Sequence, residues 1–128
     1  MWGDGLQTRS FLFVDECVEA TYRLVQSDFT GPVNIGSEEM VSINQLVDIA
    51  AKVADKEVEK NHIDGPLGVR GRNSNNDLIR EKLDWDYTMT LEEGIKKTYD
   101  WINEEQLGNK KVEQKISPFR RFMEWMDK

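Results

Sequence analysis

Trp2-Gly3-Asp4-Gly5-Leu6-Gln7-Thr8-Arg9-Ser10-Phe11-Leu12-Phe13-Val14-Asp15-Glu16 joins a turn, a cation and a helix start in one short stretch. Gly3, Asp4 and Gly5 suit backbone conformations closed to most residues, so they predict a tight turn. Phe11 to Val14 is aromatic and β-favouring and predicts buried extended chain. Asp15 then stands where a helix N-cap belongs. Arg9 is left at the mouth of a structured corner. A guanidinium fork there either meets a phosphate or carboxylate or lies on the surface beside a core strand. The residues alone leave both readings open.

Working outward, residues 15–27 predict a helix. Val14, Val18, Tyr22 and Val25 fall near one face, with Ala20 and Leu24 alongside. Asp28 to Pro32 is a turn, and Val33-Asn34-Ile35 predicts a short strand. In open α/β sheets ligands sit beyond strand ends, so the loop at Gly36-Ser37 is either near a site or a plain connection. Ser42-Ile43-Asn44-Gln45 has the form of a capping box. Its helix, to about Ala54, places Ile43, Leu46, Val47, Ala50 and Val53 inward. Glu57 to Ile63 alternates and predicts an edge strand. Asn75 or Asn76 caps a short helix through Leu83, with Leu78, Ile79 and Leu83 inward. Thr90-Leu91-Glu92-Glu93 is a second capping box, and its helix runs to about Glu105 with Leu91, Ile95, Thr98 and Ile102 inward. From Gln106 the chain turns polar, and Phe119, Phe122, Met123 and Met126 share one face of a predicted terminal helix. That helix either docks on a partner or membrane surface or folds back on its own domain.

Several patterns carry little chemistry. Asp15-Glu16 and Glu38-Glu39 are sequence neighbours, and adjacent residues do not face one another on a helix or strand. They read as a cap and a solvated loop rather than an acid/base pair. His62 is the only histidine, and no Cys/His cluster has metal-ligand spacing. Gly65-x-x-Gly68-x-x-Gly71 has the spacing of a dinucleotide fingerprint, yet it follows a polar segment and contains Pro66. A working fingerprint follows an apolar strand and opens a helix. The same loop reads better as an anion cradle, with Arg70 and Arg72 able to fork onto phosphate oxygens.

At 128 residues the chain is one domain at most. A net charge of −7 argues against nucleic acid, which needs clustered cations. A nucleotide needs only a local basic pocket and stays possible. The single Cys17 cannot form an internal disulfide. No stretch is long and apolar enough to span a membrane, and no basic segment followed by a long apolar run marks a secretory signal. The expected location is cytoplasmic.

Four motifs in order resemble the substrate-binding part of the extended short-chain dehydrogenases/reductases, the NAD-dependent sugar-nucleotide epimerases and dehydratases. They are the opening stretch, Pro32-Val33-Asn34-Ile35-Gly36-Ser37, Gly68-Val69-Arg70-Gly71-Arg72-Asn73-Ser74, and Leu83-Asp84-Trp85 followed by Thr90 to Ile95. Within that family the first and third are most similar to the GDP-mannose 3,5-epimerase branch. The resemblance implies an α/β fold: the C-terminal part of the family architecture, mostly helical with a few short strands, without the Rossmann core. It implies a sugar-nucleotide-binding domain over 1–105, followed by a polar linker and terminal helix over 106–128. It implies that Gln7, Thr8, Arg9 and Arg72 contact a GDP-mannose-like sugar nucleotide, with Arg70 either assisting or structural. Departures are small: Glu16 stands where the family has a second Asp, and both acids serve a helix N-terminus.

The family's hydride chemistry requires NAD on a Gly-rich strand–turn–helix and a Tyr-x-x-x-Lys. Four residues after Tyr22, Tyr87 and Tyr99 stand Gln26, Leu91 and Asn103. The expectation is therefore no catalytic residue and no cofactor or metal bound by this chain alone. NAD would belong to the family's N-terminal half. Activity would need a separate NAD-binding chain, and a homodimer is a further possible assembly. In the intact family the Pro32–Ser37 segment adds to the dinucleotide-binding sheet. The alternative function is a non-catalytic interaction module or a gene remnant.

Overall fold

The computed structural model describes residues 1–66 and 68–107. Its core is a three-stranded sheet flanked by four helices, a mixed α/β arrangement. In chain order these are β1 (Thr8–Ser10), α1 (Val14–Gln26), β2 (Met40–Ser42), α2 (Ile43–Val53), β3 (Gly71–Arg72), α3 (Asp77–Leu83) and α4 (Leu91–Trp101). A π-helical turn, Ile102–Leu107, extends α4. The predicted 118–126 helix lies outside the described residues.

The sheet order is β2-β1-β3. β2 runs antiparallel to β1, with Arg9 opposite Val41. β3 runs parallel to β1, with Thr8 opposite Gly71 and Arg9 opposite Arg72. The strand therefore lies at Thr8–Ser10, one step before the Phe11–Val14 run. Both partners of β1 come from distant sequence, and a ladder forms where partners exist rather than where propensity peaks. Phe11 to Phe13 instead leads into α1, and Val14 is already helical. The N-cap position falls on Phe13, without a side-chain cap, so Asp15 sits in the first turn. There it still complements the helix dipole.

Both capping boxes form as their sequences require. Ser42 accepts from the Gln45 amide, and Gln45 returns a bond to the Ser42 amide. Thr90 and Glu93 do the same at α4. Two predicted strands do not form. Val33-Asn34-Ile35 finds no ladder partner among the described residues. Of Glu57 to Ile63 only Ile63 pairs, in a single parallel bridge to Trp2.

Ala20, Ile79 and Trp85 form the buried centre, with Leu12, Val33, Ile35, Leu83 and Tyr87 packed around it. The inward faces differ in part from those predicted. Leu78 and Ala50 are exposed, and no residue of α2 is fully buried. On α1 the buried positions are Glu16 and Ala20, while Val14, Val18, Tyr22 and Val25 are between 62 and 74% exposed. Helical periodicity identifies a face but not which side of the helix a neighbour covers.

Three glutamates do structural work that adjacency in sequence concealed. Glu16 accepts from the Thr88 amide (2.6 Å), the Thr88 hydroxyl (3.0 Å) and the Met89 amide (3.0 Å). It reaches across the core instead of serving its own helix terminus. Glu39 accepts from the Leu91 amide at the start of α4 (2.8 Å). Glu38, read as solvated, accepts from the Asn76 amide and from Arg80. Buried amides need acceptors, and these carboxylates supply them.

Ile79 is fully buried at the centre of this small core. Ile79→Ala should lower unfolding free energy by about 2–5 kcal/mol, measured by urea unfolding followed by circular dichroism. A cost well under ~1 kcal/mol would show that Ile79 is not packed as described.

Candidate functional site

Two short strands bring the two predicted cations together. Arg9 lies on β1 and Arg72 on β3, and the two are register partners. Adjacent strands are spaced by about 4.8 Å, and residues in register project to the same face. Like charges set opposite one another repel. Among the described residues, no carboxylate pairs with either arginine, although nine ion pairs form elsewhere. In a chain of net charge −7 this is a local inversion of sign.

Arg9 is held by backbone. Its Nη1 donates to the Thr8 carbonyl and its Nη2 to the Val69 carbonyl, both at 2.6 Å. Two of the five guanidinium N–H donors are thus occupied, and the others remain for a ligand. Both arginines line an open cavity of about 330 Å³. Its remaining polar walls come from Ser10, Asn34, Ser37, Asn73 and Ser74, and Gly36 also lines it. A side chain at Gly36 is excluded, because a Cβ there would lie 2.7 Å from Ser74 Cβ. Residues 34–37 and 72–74 therefore approach within van der Waals contact only because position 36 is glycine.

The loop behind the cavity is braced from outside. The buried Asn76 donates through Nδ2 to the Gly36 carbonyl (2.7 Å) and accepts from the Ser74 hydroxyl (2.6 Å). Glu38 accepts from the Asn76 amide (2.9 Å) and from Arg80 Nη2 (2.6 Å). Arg80 Nε also donates to Asp86 (2.8 Å). Hydrogen bonds from Arg80 hold the Glu38 and Asp86 carboxyls below their ordinary values, with the Asn76 amide adding to the effect at Glu38. The two acids in turn raise Arg80.

The other sequence-predicted residues lie apart from this cavity. Arg70 turns its guanidinium onto Asp4, with Nη1 at 3.0 and 3.2 Å from the two carboxylate oxygens. Thr8 gives its amide to the Arg70 carbonyl (2.9 Å). Gln7 donates weakly to the Trp2 carbonyl (3.4 Å), and its Oε1 is buried without a hydrogen-bond partner. Asn34 and Asn73 were not singled out from sequence. Asn73 stood inside the Gly68–Ser74 motif, but nothing local distinguishes a lining asparagine from a turn asparagine. His62 contacts Asn44 Oδ1 at 3.0 Å, away from the cavity.

The chemistry of the lining is that of anion binding. Among the described lining residues there is no carboxylate, histidine, cysteine, tyrosine or lysine. No group of three or more His, Cys, Asp or Glu among the described residues is placed to hold a metal ion. A dinucleotide does not fit the Gly65–Gly71 segment either. That segment leads into β3 and then the loop 73–76, so it does not itself open a helix. No described helix is long and apolar enough to cross a membrane.

No family model matches the chain. Among curated proteins, it is 60% identical over 105 residues to GDP-mannose 3,5-epimerase 1 of Oryza sativa. That match covers 82% of this chain and 28% of the rice protein. Identity to the GDP-mannose 3,5-epimerase of Arabidopsis thaliana is 58%, with the same coverage. Among solved structures, the UDP-glucose 4-epimerase of Thermotoga maritima, with UDP-glucose, superposes with a TM-score of 0.77 at 27% identity. The superposition covers 81% of this chain and 34% of that one. A Bacillus cereus UDP-glucuronic acid 4-epimerase, in complex with UDP-glucuronic acid and NAD, gives a TM-score of 0.74 at 26% identity. The chain thus spans about a third or less of the length of the relatives it matches.

The Arg80 network predicts an acid sensitivity. Glu38 and Asp86 bind protons less readily folded than unfolded, because Arg80 lowers both. Their contribution is complete above ordinary carboxylate values and is lost as pH falls through the lowered ones. Arg80→Met should flatten the acid side of the stability curve, read as melting temperature from roughly pH 7 down to pH 3. An unchanged acid side would remove the network as its cause.

Proposed function

The chain is homologous to the GDP-mannose 3,5-epimerases, within the extended short-chain dehydrogenase/reductase fold of the sugar-nucleotide epimerases, and from that premise we propose that it binds a GDP-mannose-like sugar nucleotide. The observation that carries this reading is the cross-strand register of Arg9 and Arg72, two arginines without an acidic partner among the described residues. A diphosphate supplies two negative groups to two cations and removes their mutual repulsion. Asn34, Ser37, Asn73 and Ser74 offer neutral donors and acceptors for a sugar beside it. Gln7 and Thr8 assist by fixing β1. The described lining carries no acid or base, which supports binding without turnover as the role of this chain by itself.

In this reading NAD and the proton-transferring groups reside in polypeptide matching the part of the relatives that this chain does not span. The outward face of α1 supports such a partner. Val14, Val18, Tyr22 and Val25 are exposed on a helix whose opposite side, at Ala20, is already in the core. An exposed apolar stripe on a helix already anchored through its other side suits a covering partner. The expected setting of the assembly is the cytoplasm.

GDP-mannose titrated into the chain should give saturable heat and raise its melting temperature, by mass action on the folded state. Arg9→Ala and Arg72→Ala should each weaken binding by roughly 10- to 100-fold, the loss of a charge-assisted contact of ~1.5–3 kcal/mol. Absence of binding by the unsubstituted chain would sink the reading. For the partner, the unmatched portion of the rice epimerase, made as a separate chain, should co-sediment with this one. Val18→Asp with Tyr22→Asp should abolish the complex. Self-association through the same face, lost with the same substitutions, would instead make it a homodimer surface.

A further inference from the structure

Arg9 can meet a phosphate in a fixed orientation only if something outside the cavity fixes its fork, and we propose that Asp4 and Arg70 are the positioning residues that do so. The inference rests on the Arg9–Arg72 cavity being an anion site. It assigns a role to an ion pair that lies outside that cavity. An arginine side chain carries ~2 kcal/mol of rotamer entropy, so a fork held in place before binding loses less on binding. One of the two carbonyls holding Arg9 belongs to its own neighbour, Thr8. The other, Val69, is sixty residues away in sequence and must be brought there.

Arg70 brings it. Its carbonyl accepts from the Thr8 amide at 2.9 Å, and its guanidinium lies on Asp4 at 3.0 and 3.2 Å. Residue 70 is thereby fixed at backbone and at side chain, and the preceding carbonyl is aimed at Arg9. Asp4 is itself fixed. Its carboxylate also accepts from the Leu6 amide at 2.9 Å. The turn that carries it has Gly3 and Gly5 at φ of +71° and +68°, open to glycine and costly to other residues. Asn44 in α2 nails that turn down: its Nδ2 donates to the Asp4 carbonyl and its amide to the Gly5 carbonyl, both at 3.0 Å. A Cβ on Gly5 would lie 2.4 Å from Asn44 Oδ1, so turn and helix are in direct contact. Hydrogen bonds run from α2 through Asp4 to Arg70, the peptide link carries the restraint to Val69, and the Val69 carbonyl accepts from Arg9.

The pair is not there to stabilise the fold. Asp4 and Arg70 side chains are 48% and 64% exposed, and exposed pairs contribute little to stability. Their substitution therefore separates positioning from folding. Asp4→Asn and Arg70→Ala should each raise the GDP-mannose dissociation constant by roughly 3- to 10-fold, with melting temperature nearly unchanged. The double variant should be no weaker than the weaker single, because both changes release one carbonyl. The dependence of affinity on salt should match the parent chain, since neither residue neutralises phosphate. The reversed pair, Asp4→Arg with Arg70→Asp, should recover much of the affinity. If Arg70 touches the ligand directly, Asp4→Asn leaves affinity unchanged or improves it, and Arg70→Ala flattens the salt dependence. Either result overturns the proposal.

A ligand-free measurement keeps it separate from the binding reading. The Arg9 guanidinium proton signals in a nitrogen–proton spectrum should be sharp and slow to exchange in the parent chain. In Asp4→Asn they should broaden. Unchanged signals overturn the positioning role even if the chain binds no sugar nucleotide, whereas failure of the parent chain to bind, with the signals behaving as expected, overturns only the site.

Discussion

The Glu38 carboxylate links two parts of the molecule that lie far apart in sequence. It accepts from the Asn76 amide and from Arg80, thirty-eight and forty-two residues away. Behind Asn76 stand the Gly36 carbonyl and the Ser74 hydroxyl, both walls of the cavity. Removing Glu38 would leave a buried amide without an acceptor and Arg80 with Asp86 and Asp77 alone. Orphaned buried groups are costly because the medium that could solvate them is absent. Glu16 and Glu39 repeat the device at Thr88, Met89 and Leu91. A chain with few fully buried apolar residues thus relies on directed acceptors where a larger domain would rely on area. Its acidic balance is partly structural.

The cavity depends on the same economy of contacts. Neither β1 nor β3 is long, and neither would persist as an isolated pair. β1 is kept by bonding on both edges, to β2 on one side and β3 on the other. The Ile43 amide adds a further bond to the Gln7 carbonyl at its entry. That central placement is why Arg9 meets Arg72. Two cations on adjacent strands are unfavourable in the empty state, and the fold tolerates them because Arg9 is spread over two carbonyls while the pair stays open to solvent. On the proposed reading an anion would turn that repulsion into attraction.

Much of this was legible in the sequence. Ser42–Gln45 and Thr90–Glu93 announced their helices because a capping box is closed within four residues. Arg9 and Arg72 were legible as a pair only through resemblance, since they lie far apart in sequence and their register is set by a ladder no local pattern encodes. The strands were misplaced for the same reason. Phe11–Val14 has the stronger β preference, but Thr8–Ser10 has the partners. Glu38 and Glu39 looked solvated because adjacency excludes a mutual role and says nothing of a distant amide. Arg70 looked like a twin of Arg72. Strand alternation alone would set Arg70 and Arg72, two positions apart, on one face, but Arg70 precedes β3 and only the tertiary position of Asp4 shows where it goes.

The face of α1 carries the most general consequence. Val14, Val18, Tyr22 and Val25 have the spacing of a buried stripe, yet Ala20 and Glu16 take the interior. A helix cannot turn both sides to one small core, so the second side is left as an exposed apolar surface. The site does not involve that surface. Arg9, Arg72 and their supports are fixed by the sheet, by Asn44 and Asp4, and by Asn76 and Glu38, none of which lies on α1. The two features fall on different elements: the sheet and its loops carry the proposed anion site, and α1 carries the exposed apolar face. On the proposed reading a ligand would act on the first and a partner on the second, so each is testable without disturbing the other.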